Sequence, residues 1–331
     1  MRLGARRTGR PQRCALPPAK GTGRDRRGLA EREFPLGGMG RRPKGGPVTH
    51  PSQITALLLH GLCSTPEELL PVQTALRQAG HRVLPMVLPG YSYDATRHEQ
   101  RATPYRQWLH AVALEVRRQR ALGQRVVLVG LSAGALVALG VLVNGADAVD
   151  GVVLMSTPLQ FDGWAVPRYH FLMPLALYTP LGRLWRYREQ PPYGVKNPRV
   201  RRWIERELAA RRVSRAGAAV IGVAHLREHD RLRRWVHRQL RGLHCPPVLA
   251  LHAHEDEVAG PSNLRLLEAT LNTPSFRAVL LADSHHMITI DNDRQQVLRE
   301  TLRFFAGLTS ALPGRRTVPG LGDPIHAPAH V

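Results

Sequence analysis

Three residue types that together perform acyl chemistry occur in a fixed order along 331 residues. The first is a serine in Gly130-Leu131-Ser132-Ala133-Gly134, which has the spacing G-x-S-x-G. That spacing suits a nucleophile on a sharp strand-to-helix turn, where crowded backbone demands small neighbours on both sides. The helix that follows aims its N-terminus at the site and favours developing negative charge. A serine hydroxyl is a poor nucleophile without a base, and the base needs an acid to orient it. The segment His252-Ala253-His254-Glu255-Asp256-Glu257-Val258 offers acids, and Asp283-Ser284-His285-His286-Met287-Ile288-Thr289-Ile290-Asp291 offers histidines. Asp256 lies 124 positions after Ser132, and His286 lies 30 further on. On spacing alone, Glu255 and Glu257 compete with Asp256, and His285 competes with His286.

An oxyanion needs two backbone N–H donors. Ala133, directly after the serine, supplies one, and the loop after an earlier strand supplies the other. His60-Gly61-Leu62 is that loop, with Leu62 N–H as the second donor and Gly61 permitting the turn. His60 reads as a hydrogen-bonder that fixes the loop. Cys63 reads as a small buried hydrophobe, with no base implied beside it. His252 and His254 alternate on a strand end, but no third ligand accompanies them, so no metal is expected. No cofactor is expected either. Three cysteines, Cys14, Cys63 and Cys245, make no disulfide framework.

The elements that must position these residues are legible as alternation. Short apolar runs at 54–59, 83–88, 126–129, 152–155, 248–251 and 278–281 have strand length and suit strands buried on both faces. Between them, 66–80, 103–122, 262–271 and 294–305 read as helices, with Thr65 as an N-cap and Gly80 at a C-terminus. The pattern predicts an α/β fold with a mostly parallel, doubly wound sheet. Ser132 and the acid and histidine segments then fall just past carboxyl ends of strands, where such sheets place their sites. Residues 126–146 carry no charge and are long enough to span a bilayer, but four glycines interrupt them, and strand, turn and buried helix fit better.

Residues 161–243 break the alternation. No clear strand is read there, and helices are expected near 200–212 and 226–240, as an inserted, mostly helical cap. Trp164, Phe171, Leu172 and Leu175 are the expected wall of an acyl pocket. The predicted organisation is therefore a basic disordered tail at 1–47, core at 48–160, cap at 161–243, core at 244–308 and a second tail at 309–331. Met39 is a plausible start of the native chain. No apolar run of signal-peptide length occurs in the first 47 residues, so a cytoplasmic location is expected.

The formal net charge of +22 has an address. Residues 1–47 hold 13 Lys+Arg against 3 Asp+Glu, and 161–243 hold 18 against 6, while the remainder balances at 16 and 16. The catalytic body is thus neutral, and a nucleic-acid partner is not expected. The basic cap leaves open peripheral contact with an anionic membrane. The charge does not speak to oligomeric state.

The set His60-Gly61-Leu62, Gly130–Gly134, Asp256-Glu257-Val258 and His286-Met287-Ile288-Thr289-Ile290-Asp291 resembles the α/β-hydrolase superfamily, and within it the bacterial carboxylesterase and monoacylglycerol-lipase branch. The resemblance spans roughly residues 52–308, and the His-x-Ile-Thr-x-Asp ending is its most branch-specific piece. It implies Ser132 as nucleophile, Asp256 as acid, His286 as base and the cap as an acyl-binding lid. Asp291 is then expected to cap the following helix, and His285 to be partly exposed. Two departures stand out: Pro89-Gly90-Tyr91-Ser92 replaces a common Gly-His-Gly, and the cap is longer and more basic than usual. The implied function is hydrolysis of small carboxylic esters through an acyl-enzyme. Acyl transfer, amide cleavage and carbon–carbon hydrolysis by the same residues are the alternatives, since pocket shape separates them. Nucleic-acid or anionic-membrane binding is the alternative of another class.

Overall fold

The computed structural model describes residues 53–93, 101–145, 149–180, 182, 186–210, 213–214 and 217–310. The tail expected at 1–47 lies outside these residues, as does the second tail from 311 onward.

Six parallel strands form one sheet in the order Phe276–Leu281, Val248–Ala253, Gly151–Met155, Arg125–Leu131, Ile54–Leu59 and Arg82–Pro85. The first, β1 (Ile54–Leu59), is flanked by β2 (Arg82–Pro85), reached through α1 (Leu70–Gln78), and by β3 (Arg125–Leu131), reached through α2 (Tyr105–Ala121). From β3 the chain turns into α3 (Ala133–Val143) and returns to β4 (Gly151–Met155). The uncharged stretch read as strand, turn and helix is therefore β3 and α3, and no helix among the described residues is long and apolar enough to cross a membrane.

Alternation within each strand sorts its side chains to two layers, because successive residues point to opposite faces. Leu57, Leu59, Val126 and Leu128 face α2 and α3, whereas Ile54, Ala56, Leu58, Val127 and Val129 join the cluster on the other face. Both faces are apolar, so the strands read as continuous hydrophobic runs. From Ala133 to Leu142, α3 is buried on every side, which is why it shows no amphipathic stripe.

Residues 161–243 contain more strand than the sequence suggests. After α4 (Met173–Tyr178) come β5 (Arg186–Arg188), α5 (Pro198–Ala210), β6 (Val213–Ser214), β7 (Gly217–Ala218), β8 (Val220–Gly222) and α6 (Val223–Gln239). Two small antiparallel pairs, β5 with β8 and β6 with β7, form there. Strands of two or three residues are too short for any periodicity to show. Helix α6 is anchored to the core: Leu232, Val236 and, just past its end, Leu240 are buried in the same cluster as Leu136 and Leu139 of α3. The chain then completes the sheet with β9 (Val248–Ala253), α7 (Ser262–Thr270), β10 (Phe276–Leu281) and α8 (Arg294–Ser310). Helix α8 runs two residues into the stretch read as a tail from 309.

Candidate active site

Ser132 is the single residue between β3 and α3, with φ 54° and ψ −121°, a left-handed conformation that costs an L-residue on the order of 1–3 kcal/mol. The cost is met by surrounding bonds. Its N–H donates to Met155 O at 2.8 Å, and its carbonyl accepts Ala135 N–H at 2.9 Å. The flanking glycines are required by contact. A Cβ on Gly130 would stand 2.5 Å from Ala135 N, and one on Gly134 only 2.0 Å from Leu59 O. We expect Gly134→Ala to destabilise the fold by about 1–3 kcal/mol, as overpacked sites do, and to lower turnover by displacing the end of β1. Urea unfolding together with initial rates checks this; unchanged values of both would contradict it.

The serine Oγ stands 2.8 Å from His286 Nε2, and His286 Nδ1 stands 2.8 Å from Asp256 Oδ2. The three residues arrive from the carboxyl ends of β3, β10 and β9. Asp256 is buried, and its Oδ1 also accepts the N–H groups of Val258 and Ala259 at 2.9 and 2.8 Å. Burial alone would raise this carboxyl, but His286, His252 and the Ala259 N–H hold it below its usual value. For His286 burial acts in the lowering direction, yet Asp256, then Glu257 and Glu189, outweigh it and raise the imidazole to about 9.

Of the three acids left open by spacing, Asp256 therefore meets the ring. Glu257 meets the main chain instead, its Oε2 accepting His286 N–H at 3.0 Å. Glu255 is turned outward and pairs with Lys196 at 2.9 Å. His285 is buried, not partly exposed: at 7% exposure its ring packs edge-on against Trp164. Asp291 does not cap α8 with its side chain. It accepts the N–H groups of Lys196 and Asn197 at 2.7 and 2.9 Å and that of His285 at 2.9 Å, tying the histidine loop to the segment before α5. A carboxylate with three backbone donors in reach is better satisfied there than at a helix end.

Neither Leu62 nor Ala133 donates its N–H to another backbone or side-chain acceptor among the described residues. The loop carrying Leu62 is braced from several directions. His60, held neutral because burial lowers it to about 4, donates Nδ1–H to Gly61 O and accepts from Ser92 Oγ, both at 2.7 Å. Tyr91 OH donates to His60 O. The Pro89-Gly90-Tyr91-Ser92 departure thus supplies the braces, with Gly90 at φ 63° making the turn. Cys63, at φ 52°, is buried, and burial pushes its thiol up to about 12, too high to ionise near neutral pH. His252 Nε2–H donates to Ala259 O at 2.6 Å. Among the described residues no three His, Cys, Asp or Glu side chains are grouped to hold a metal.

Two residues that the sequence did not single out join this frame. Ser156, at φ 48°, donates its hydroxyl to His286 O at 2.7 Å. Glu68 is only 2% exposed, accepts Gly61 N–H on Oε2 at 2.6 Å, and receives the Thr289 hydroxyl on its backbone carbonyl at 2.8 Å. It links the loop at Gly61 to the histidine loop, the second contact spanning 221 positions. Only the motif Thr65-Pro66-Glu67-Glu68, which opens a helical turn, hinted at it. Glu68→Leu removes the acceptor for Gly61 N–H, and we expect roughly tenfold or greater loss of kcat, because a misplaced donor costs a few kcal/mol of transition-state stabilisation. Glu68→Gln, which keeps an acceptor, should retain most of the rate; equal loss in both variants would contradict the bracing role.

The four residues expected to wall an acyl pocket are open to solvent. Trp164, Phe171 and Leu175 are 61%, 69% and 56% exposed, and Leu172 also faces outward. Within the helical turns at 168–178 only Leu177 is buried.

A parallel sheet that gathers a strained serine and a hydrogen-bonded histidine–aspartate pair at its carboxyl edge defines a protein of the α/β-hydrolase fold. The chain belongs to the alpha/beta hydrolase family, whose model matches residues 56–300. A thermostable monoacylglycerol lipase of Bacillus sp. (strain H-257) is 25% identical over 254 residues, which cover 76% of this chain and 90% of that one. The crystal structure of a Paleococcus ferrophilus monoacylglycerol lipase matches with a TM-score of 0.62 at 19% identity, over 77% of this chain and 94% of that one. A soluble variant of Saccharomyces cerevisiae monoglyceride lipase matches at 0.61 and 13% identity, over 77% and 86%.

Proposed function

We propose that this chain is a carboxylic ester hydrolase in which Ser132 is the nucleophile, His286 the general base and Asp256 its orienting acid. The observation that carries this reading is the unbroken hydrogen-bonded line from Ser132 Oγ through both nitrogens of His286 to Asp256. Ser132 attacks the acyl carbonyl as His286 Nε2 takes the hydroxyl proton. Asp256 holds the tautomer that keeps Nε2 as acceptor and stabilises the imidazolium that forms. The carbonyl oxygen, now negative, is received by Leu62 N–H and Ala133 N–H, helped by the N-terminus of α3. His286 returns the proton to the leaving alcohol, then activates a water that releases the acyl group from Ser132.

The similarity to a monoacylglycerol lipase over nine-tenths of that protein supports monoacylglycerols and related acyl esters as the substrate class. We assign residues 161–243 as the lid over the site, with α6 as its anchor against α3. Purified protein should hydrolyse p-nitrophenyl esters and monoacylglycerols in a chain-length series, and a serine-directed phosphonate should stop both. Turnover confined to amide or carbon–carbon substrates would replace this reading with its alternative.

A further inference from the structure

A recess of about 520 Å³ opens between α2, α4 and α6, and none of Ser132, Asp256 or His286 lines it. Four arginines line it: Arg106 of α2, and Arg231, Arg234 and Arg238 of α6. One carboxylate, that of Glu228, stands against them in the lining. The α6 arginines sit at i, i+3 and i+7, so they share one helical face.

Two of the four are pre-positioned. Arg231 and Arg234 lie over the Tyr178 ring, 5.9 and 5.5 Å from its centroid. Glu228 holds Arg231 at 2.5 Å, and Asp230 holds Arg234 at 2.9 Å. Both acids are already committed elsewhere. Glu228 also accepts Tyr105 N–H at 3.1 Å, and Asp230 also pairs with Arg233 at 2.8 Å and accepts Tyr178 OH at 2.8 Å. Arg106 and Arg238 have no carboxylate partner among the described residues. Like charges around one hollow repel each other, and an anion inside relieves that repulsion. Of the 18 basic residues in 161–243 only Lys196 is lysine, and the guanidinium fork matches phosphoryl oxygens two at a time. The volume is that of a small-molecule site.

We infer that this recess binds a phosphoryl group, with Arg106 and Arg238 as its direct ligands and the Tyr178-stacked pair as its fixed wall. A soluble phosphate ester and a phosphate-bearing lipid headgroup present the same chemistry, and the test separates them. The full chain is titrated with inorganic pyrophosphate by calorimetry. In parallel it is co-sedimented with phosphatidylcholine vesicles with and without phosphatidic acid, at low and high salt. The comparison protein is the double variant Arg106→Ala/Arg238→Ala, which breaks no ion pair among the described residues; its thermal midpoint and ester turnover should match the parent.

The expected result is salt-sensitive binding of at least one probe that falls about tenfold or more in the double variant, since charge-assisted hydrogen bonds are lost. Loss of pyrophosphate binding supports a soluble phosphorylated ligand. Loss confined to phosphatidic acid vesicles supports a headgroup. Absence of binding to both probes overturns the inference. So does binding that the variant retains in full, which would assign it to basic residues elsewhere, such as those of 1–47.

Discussion

Ser132→Ala should lower kcat for a p-nitrophenyl ester by roughly 10⁵–10⁶-fold while the protein stays folded. The size of the loss follows from the chemistry. Without Oγ no acyl-enzyme forms, and the reaction falls back on water attacking a carbonyl held by the oxyanion donors. Those donors and substrate binding alone are worth on the order of 10³–10⁴ over the uncatalysed reaction. Alanine retains the Cβ that already occupies the strained turn at φ 54°, so the substitution leaves the elbow's backbone cost unchanged. Initial rates and a thermal midpoint measured on the same preparation separate loss of chemistry from loss of fold. A variant that still turns over at the parental rate would remove Ser132 from the reaction and with it the proposed mechanism.

The second large effect lies in the histidine–aspartate pair. Asp256→Asn should cost about 10⁴ in kcat, because an amide at that position favours the wrong tautomer of His286 and no longer stabilises the imidazolium. The pH profile carries the finer test. His286 accepts a proton only when neutral, and the acids around it, Asp256 first, then Glu257 and Glu189, raise it from 6.5 to about 9. Below that value the neutral fraction rises about tenfold per pH unit, so kcat/KM should climb through neutral pH and level off near 9. Glu68 also faces this group from the opposite loop, and burial raises it to about 7. Glu257→Gln keeps an acceptor for His286 N–H and removes one negative charge. Its limb should therefore move toward acid, and its rate at neutral pH should exceed the parent's. A limb that stays in place would refute the electrostatic account of the site. The same shift favours the folded state below about 6.5, and that gain disappears as the pH passes through about 9.

Much of this protein is legible in its sequence because buried parallel strands and a G-x-S-x-G turn leave local signatures. The run at 54–59 matches β1 residue for residue, and the ends of the other five sheet strands lie within three residues of the apolar runs. Gly130 and Gly134 could be read as obligatory because no other residue type tolerates that approach, and the contacts with Ala135 N and Leu59 O show what they avoid. His60 and Ser132 sit at strand ends that apolar runs make easy to find.

What the sequence could not determine is what long-range packing decides. Glu255, Asp256 and Glu257 are equivalent by spacing; the tilt of the loop after β9 sends the middle one to the imidazole, the last to a backbone N–H and the first to Lys196. Glu68 is an ordinary helix-opening acid until the fold buries it against Gly61 and brings Thr289 to its carbonyl. The exposure of Phe171 and Leu175 was not legible either, because hydropathy reports a side chain's preference and not which surface covers it. The arginines of α6 show in the sequence only as net charge of the cap; that Arg106 of α2 and Tyr178 of α4 line one recess with them is a tertiary fact. Local patterns thus specified the elements and the order of the reactive residues. The directions that Asp256, Glu257 and Glu255 face depended on partners 29 to 59 positions away, which only tertiary contact selects.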